Sequence, residues 1–193
     1  MKKTPAVFTP NNITVVRLLI ALIAPFLLFR FNSFWGDILV FILLTIACVS
    51  DWWDGYLARK QSLVTATGKI IDPVADKLLI LGLMFSFVLM SLYSFEWIAC
   101  ILVREIMVTS TRLVRLRRAQ VIPAEWAGKV KLVVQTGSVY LTLFYLMVLH
   151  RGSLEETSQL LLVMKWIHYF GIAAANFFTI SSGIHFFKHL SRL

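Results

Sequence analysis

The sequence predicts an all-α integral membrane protein of six transmembrane helices with both termini cytoplasmic. Three observations carry that prediction. Of the 193 residues, 59% are hydrophobic and only 15% charged, with mean hydropathy +0.78, against about 25% charged in ordinary soluble domains. Six apolar runs approach the roughly 20 residues a spanning helix needs. The basic residues between those runs fall mainly on one side, as the positive-inside rule requires.

The first run is Ile13–Phe31. It follows a basic, polar start, residues 1–12, expected to be a cytoplasmic or interfacial segment. No small-residue cleavage site follows this run, so it reads as a retained span and not a cleaved signal. The second, Trp35–Val49, is short, but it is expected to continue as helix through Asp51–Arg59. A polar stretch, Lys60–Lys69, supplies the turn to the third run, Val74–Tyr93. Trp97–Val114, Val130–Leu149 and Leu160–Phe187 complete the six, the last with first turns suited to the interface. No repeat or low-complexity segment interrupts them, so residues 1–193 read as a single membrane domain.

With the N-terminus inside, Lys2, Lys3, Arg59, Lys60, Lys69, Arg115, Arg117, Arg118, Lys129, Lys131, Lys188 and Arg192 gather on the inner side. Arg30, Arg151 and Lys165 fall on the outer side. This bias puts both termini on the cytoplasmic side of a multi-pass protein. The net charge of +9 therefore answers to topology, anionic membrane lipids and phosphate substrates, and no nucleic-acid partner is expected. Cys48 and Cys100 lie within apolar runs and read as packing residues, neither a disulfide nor a metal pair.

Four of the five aspartates stand where the second run ends and the third begins: Asp51, Asp54, Asp72 and Asp76. Residues three or four apart share a helix face, so Asp51 pairs with Asp54 and Asp72 with Asp76. Two antiparallel helices joined by a turn would bring the pairs together at the cytoplasmic end of helices 2 and 3. Carboxylates at a membrane edge are costly unless neutralised. An oxygen-ligand site for Mg²⁺ or Mn²⁺ neutralises them, and two such ions about 4 Å apart can clamp a phosphoryl displacement. Gly55 and Ala58 leave room for a ligand beside the helix, Gly68 allows a turn or close helix contact, and Arg59 offers a planar fork to phosphate. Simpler readings exist for single residues. Asp72-Pro73 resembles a helix N-cap followed by proline at the first position, and Trp52, Trp53 and Tyr56 fit an interfacial aromatic belt. A cap leaves Asp51, Asp54 and Asp76 unexplained. A divalent-cation transporter would place its carboxylates along a mid-membrane path, whereas here they keep to one side.

The pattern Asp51-x₂-Asp54-Gly55-x₂-Ala58-Arg59-x₈-Gly68-x₃-Asp72-x₃-Asp76 resembles the signature of the CDP-alcohol phosphotransferases. Pro10-Asn11-x-Ile13-Thr14-x₂-Arg17 is similar to the same family's N-terminal motif. The resemblance implies that the four aspartates bind two divalent cations holding the pyrophosphate of CDP-diacylglycerol, and that Asp76 is also the general base that activates an alcohol, expelling CMP. It implies that Gly55, Ala58, Arg59 and Gly68 serve the CDP-lipid, that Asn11, Thr14 and Arg17 hold its nucleotide or position the first helix, and that the enzyme is a homodimer. Arg104, Arg112, Lys129 and Lys131 are the cations available for an acceptor phosphate. Arg104-Glu105 reads equally as structural pairing within the membrane. The Arg104-Glu105-Ile106…Arg112 and Gly128-Lys129-x-Lys131-x₃-Gln135 runs resemble the branch whose acceptor is sn-glycerol 3-phosphate, with Leu132 standing where relatives in that branch often have threonine. Inositol phosphate, serine, or phosphatidylglycerol on the way to cardiolipin are the alternative acceptors.

Overall fold

The computed structural model describes residues 10–61, 68–117, 126–152 and 158–190, and all of its regular structure there is helical. Six helices follow in order: α1 Pro10–Arg30, α2 Phe34–Gln61, α3 Gly68–Leu89, α4 Phe95–Arg117, α5 Trp126–His150 and α6 Gln159–Leu190. Each corresponds to one expected run. Among the described residues, three stretches are long and apolar enough to cross a membrane: Phe34–Trp53, Gly128–His150 and Gln159–Lys188. Lys77–Leu89 is a shorter apolar helix. α4 carries Glu96, Arg104, Glu105 and Arg112 among its apolar residues, which lowers its hydropathy without shortening it.

The helices run past the apolar runs that announced them. α2 continues unbroken through the aspartate segment to Gln61, as expected from its sequence. α1 begins at Pro10, so the last residues of the N-terminal segment are helical. α3 begins at Gly68 and not near Asp72, which corrects the reading of Asp72-Pro73 as a cap: both lie inside the helix. Residues 62–67, the core of the expected turn, lie outside the described residues. Cys48 and Cys100 are both free thiols.

The chain divides into two compact units, Met1–Ser86 and Phe87–Leu193. In the first, α1 packs on α2 through a tight turn. Ser33 caps α2: its carbonyl accepts from Asp37 N at 3.0 Å and its hydroxyl from Gly36 N at 3.3 Å, satisfying N–H groups that a helix start leaves open. The seam consists of Arg17, Ala21, Ala24 and Leu28 on α1, and Asp37, Val40, Leu44 and Ala47 on α2, all buried. Both sets step by three and four, one face of a helix, and the alanines permit close backbone approach. The Ser86 hydroxyl donates to the Pro25 carbonyl at 3.0 Å, joining α3 to α1.

In the second unit α4 and α5 both pack on α6. Gly152, at φ 63°, ends α5 in the left-handed region that glycine adopts without strain. Ser158 opens α6, its hydroxyl accepting from Leu161 N at 3.3 Å. The buried faces again step by three and four: Ile98, Ile101, Glu105 and Val108 on α4; Lys131, Gln135, Ser138 and Thr142 on α5; His168, Ile172, Ala175, Thr179, Ser182 and Phe186 on α6. Much of what this unit buries is polar, while large apolar side chains such as Val103, Val133 and Phe170 are exposed. That inversion suits helices whose outer surface meets hydrocarbon.

Candidate active site

The α1–α2 seam ends in an ion pair. Antiparallel packing with a short turn sets Arg17 near Asp51 at the far end of the seam. The Arg17 guanidinium donates from Nη1 to Asp51 Oδ1 at 2.9 Å. Arg17 is 1% exposed, whereas the Asp51 side chain is 49% exposed. The aspartate thus stands at the edge of the seam with one oxygen engaged from inside the protein and its carboxylate open on the other side.

Asp54 follows three residues later on the same uninterrupted helix, and Asp72 and Asp76 are four apart within α3. The backbone therefore keeps each pair one turn apart on a continuous helix. The side chains of Asp54, Gly55, Ala58, Arg59, Gly68, Asp72 and Asp76 lie outside the described residues, as do those of Asn11, Thr14 and Arg112. Among the described residues no group of three or more His, Cys, Asp or Glu side chains gathers around a common point. The donor set itself fits a hard divalent cation: all carboxylate oxygen, with no thiol or imidazole in the signature.

The second unit holds a buried ion cluster. Arg104 Nη1 donates to Glu105 Oε1 at 3.0 Å, and the Lys131 ammonium donates to the same oxygen. Arg104 Nη2 donates to the Ser182 hydroxyl at 2.9 Å. Three helices thus meet on one carboxylate and its arginine. The network continues along α5 and α6. Ser182 Oγ donates to the Thr179 carbonyl at 3.0 Å, and Gln135 Nε2 donates to Thr179 Oγ1 at 2.9 Å. Further along the same seam, Ser138 Oγ donates to the Gln135 carbonyl at 2.8 Å and Thr142 Oγ1 to the Ser138 carbonyl at 2.9 Å. Tyr93 closes the run, its hydroxyl bonded to that of Thr142.

Of the four cations named from sequence for an acceptor phosphate, the structure brings Arg104 and Lys131 together. Lys129 is exposed, because two residues along a helix is over half a turn and reverses the direction. The pairing of Arg104 with Glu105 is real, and it includes Lys131. The sequence reading gave no role to α6, yet Ser182 and Thr179 complete the cluster. Small polar residues at three- and four-residue steps from His168, within an otherwise apolar helix, are the signal that marks that face.

The family model described as CDP-alcohol phosphatidyltransferase matches residues 7–179, and the chain belongs to that family. Among its relatives, the CDP-diacylglycerol–glycerol-3-phosphate 3-phosphatidyltransferase of Bacillus subtilis is 35% identical over 192 residues, covering 93% of each chain. The protein of the same name from Rickettsia typhi is 31% identical over 188 residues, covering 93% of this chain and 94% of the relative. One from Mycoplasma genitalium is 35% identical over 104 residues, 54% of this chain and 44% of the relative.

Proposed function

We propose that this chain transfers the phosphatidyl group of CDP-diacylglycerol to sn-glycerol 3-phosphate, giving phosphatidylglycerol phosphate and CMP. The observation that carries the class is the Asp51–Asp76 signature on α2 and α3 within a chain matched to the family over most of its length. The acceptor is supported by the names of relatives at 31–35% identity that align with 93% of the chain.

Two divalent cations, Mg²⁺ or Mn²⁺, held by Asp51, Asp54, Asp72 and Asp76, would neutralise the pyrophosphate and make CMP a better leaving group. Arg17 would fix Asp51 from behind, leaving its open side to the site. Gly55, Ala58 and Gly68 would leave space for the nucleotide, with Arg59 on its phosphates and Asn11 and Thr14 at the start of α1. Asp76 would take the proton from the acceptor's primary hydroxyl. That oxygen forms a bond to the phosphorus bearing diacylglycerol as the bond to the CMP oxygen breaks, and CMP leaves with the electron pair. Arg104 and Lys131 would hold the acceptor's phosphate, with Arg112 a further candidate on α4; Lys129, exposed on the opposite face of α5, would add only screened charge.

The basic residues at the helix ends support six spans, cytoplasmic termini and a site on the cytoplasmic face of the inner membrane. Residues 1–193 would then act as one membrane domain, working as a homodimer among anionic lipids.

Purified protein with CDP-diacylglycerol, Mg²⁺ or Mn²⁺, and a panel of acceptors tests this reading by CMP release. Release that depends on glycerol 3-phosphate is expected. Release only with inositol phosphate, serine or phosphatidylglycerol would keep the chemistry and replace the acceptor. No release with any alcohol would overturn the proposal.

A further inference from the structure

Glu105 cannot itself meet a substrate, being 4% exposed and enclosed by α4, α5 and α6. Its effect on chemistry has to pass through the groups it binds. One of its oxygens accepts from both Arg104 and Lys131, so a single carboxylate holds two cationic side chains. A buried carboxylate placed this way fixes the direction of a guanidinium and an ammonium that would otherwise sample many rotamers.

α6 completes the arrangement. Ser182 Oγ receives Arg104 Nη2 at 2.9 Å while donating its own proton to the Thr179 carbonyl. The hydroxyl is therefore oriented by the helix backbone and presents only its lone pairs to the arginine. The next residue is glycine for a spatial reason. A Cβ at Gly183 would stand 3.1 Å from Arg104 Cγ and 3.7 Å from its Nε. The bare glycine lets α6 pack directly against that flank of the arginine. Of the five N–H donors of a guanidinium, one from each terminal nitrogen is engaged by the protein, and the Nε–H has no partner among the described residues. Arg104 is thus aimed by Glu105 and Ser182, and each terminal nitrogen keeps a second N–H to give.

We infer that Glu105, Ser182 and Gly183 are positioning residues of the acceptor site: they hold Arg104 and Lys131 in the spacing that a phosphate monoester requires. This rests on the assignment of Arg104 and Lys131 to the acceptor phosphate. α6 then has a part in acceptor recognition, through a serine and a glycine that never touch the acceptor.

The test is steady-state kinetics of CMP release in full-length protein, with glycerol 3-phosphate and CDP-diacylglycerol varied separately. Ser182→Ala removes one hydroxyl and Gly183→Ala adds one methyl. Each should raise KM for glycerol 3-phosphate roughly tenfold, as loss of one hydrogen bond to a charged group does, with KM for the lipid unchanged. Glu105→Gln should do more, and Glu105→Asp should recover part of the loss. Inorganic phosphate, tested as a competitor of glycerol 3-phosphate, should inhibit the Ser182→Ala protein less than wild type. Lowered kcat and melting temperature with both KM values unchanged would mean that these residues only hold helices together, and would overturn the inference. If Glu105→Gln does not fold, the two α6 variants decide by the same split. An active wild type whose variants keep its acceptor KM defeats this inference alone, whereas a wild type without glycerol 3-phosphate-dependent release defeats the underlying assignment.

Discussion

Arg17 of α1 reaches Asp51 of α2 across 2.9 Å at the end of an otherwise apolar seam, the arginine buried and the aspartate half open. A fully buried guanidinium in a membrane protein needs a counter-charge, and Asp51 is one it has. The pair also ties the N-terminal motif to the aspartate signature, two stretches that the sequence separates by over thirty residues. Replacing Arg17 by alanine is expected to loosen Asp51. Partners of this kind behind a metal ligand typically govern about 10–100-fold in affinity. Mn²⁺ binding to the purified protein, followed by electron paramagnetic resonance, should weaken by that order, and Arg17→Lys should recover part of it. Unchanged Mn²⁺ affinity in Arg17→Ala, with a raised KM for CDP-diacylglycerol, would reassign Arg17 to the nucleotide.

Asp76 carries the heaviest chemical expectation. Asparagine matches its shape but cannot accept a proton at neutral pH. Asp76→Asn should lower CMP release by roughly 10²–10⁴, the usual contribution of a general base. Circular dichroism should show unchanged helix content, since the residue lies within α3. Activity within a few-fold of wild type would remove Asp76 from the role of base.

Lys129 and Lys131 separate two readings of the same motif. By sequence both are candidates for the acceptor phosphate, but one is exposed and the other is buried on Glu105. Lys131→Ala should raise KM for glycerol 3-phosphate strongly and lower the melting temperature, because it strands a buried carboxylate. Lys129→Ala should change KM by no more than about twofold at moderate salt and leave the melting temperature unchanged, as exposed charges do. Equal effects from the two would contradict the burial pattern.

How much of this could be read in advance depends on what marks a helix face. Six helices were legible because 13–31, 74–93 and their fellows are long and apolar, and because Asp51–Arg59 continues the second. Their inward faces were not legible from hydropathy. A helix in lipid is as greasy outside as in, so Val103 and Phe170 on the surface look like Leu143 and Ile172 in the core. What betrays the inner face is polarity: Glu105, Lys131, Gln135, Thr142 and Thr179 all point inward. Arg17 and Asp51 were named separately, for different roles, because their meeting depends on the register of α1 against α2. Sequence spacing within one helix cannot supply that register. The aspartate pairs were legible since three- and four-residue steps survive any packing.

That register is set by a short turn, which gives the last prediction. Gly36 lies two residues into α2, where a Cβ would stand 2.0 Å from the Phe31 carbonyl oxygen and 3.1 Å from its carbon. The obstacle is backbone, and it is held: Phe31 N donates to the Leu27 carbonyl at 2.8 Å, and Ser33 binds Gly36 and Asp37. No side-chain rotation relieves that contact. Gly36→Ala should therefore destabilise the protein by about 1–3 kcal/mol, the range for overpacking. It should also cost activity, because shifting α1 along α2 moves Arg17 off Asp51. Gly137, inside α5 with nothing within 4 Å of an added Cβ, is the control. There Gly→Ala should be neutral or stabilising by about 0.5–1 kcal/mol, the helix preference for alanine. Thermal unfolding in detergent, read beside CMP release, compares the two directly. A Gly36→Ala protein as stable and active as Gly137→Ala would mean that this turn does not fix the register of the aspartate site.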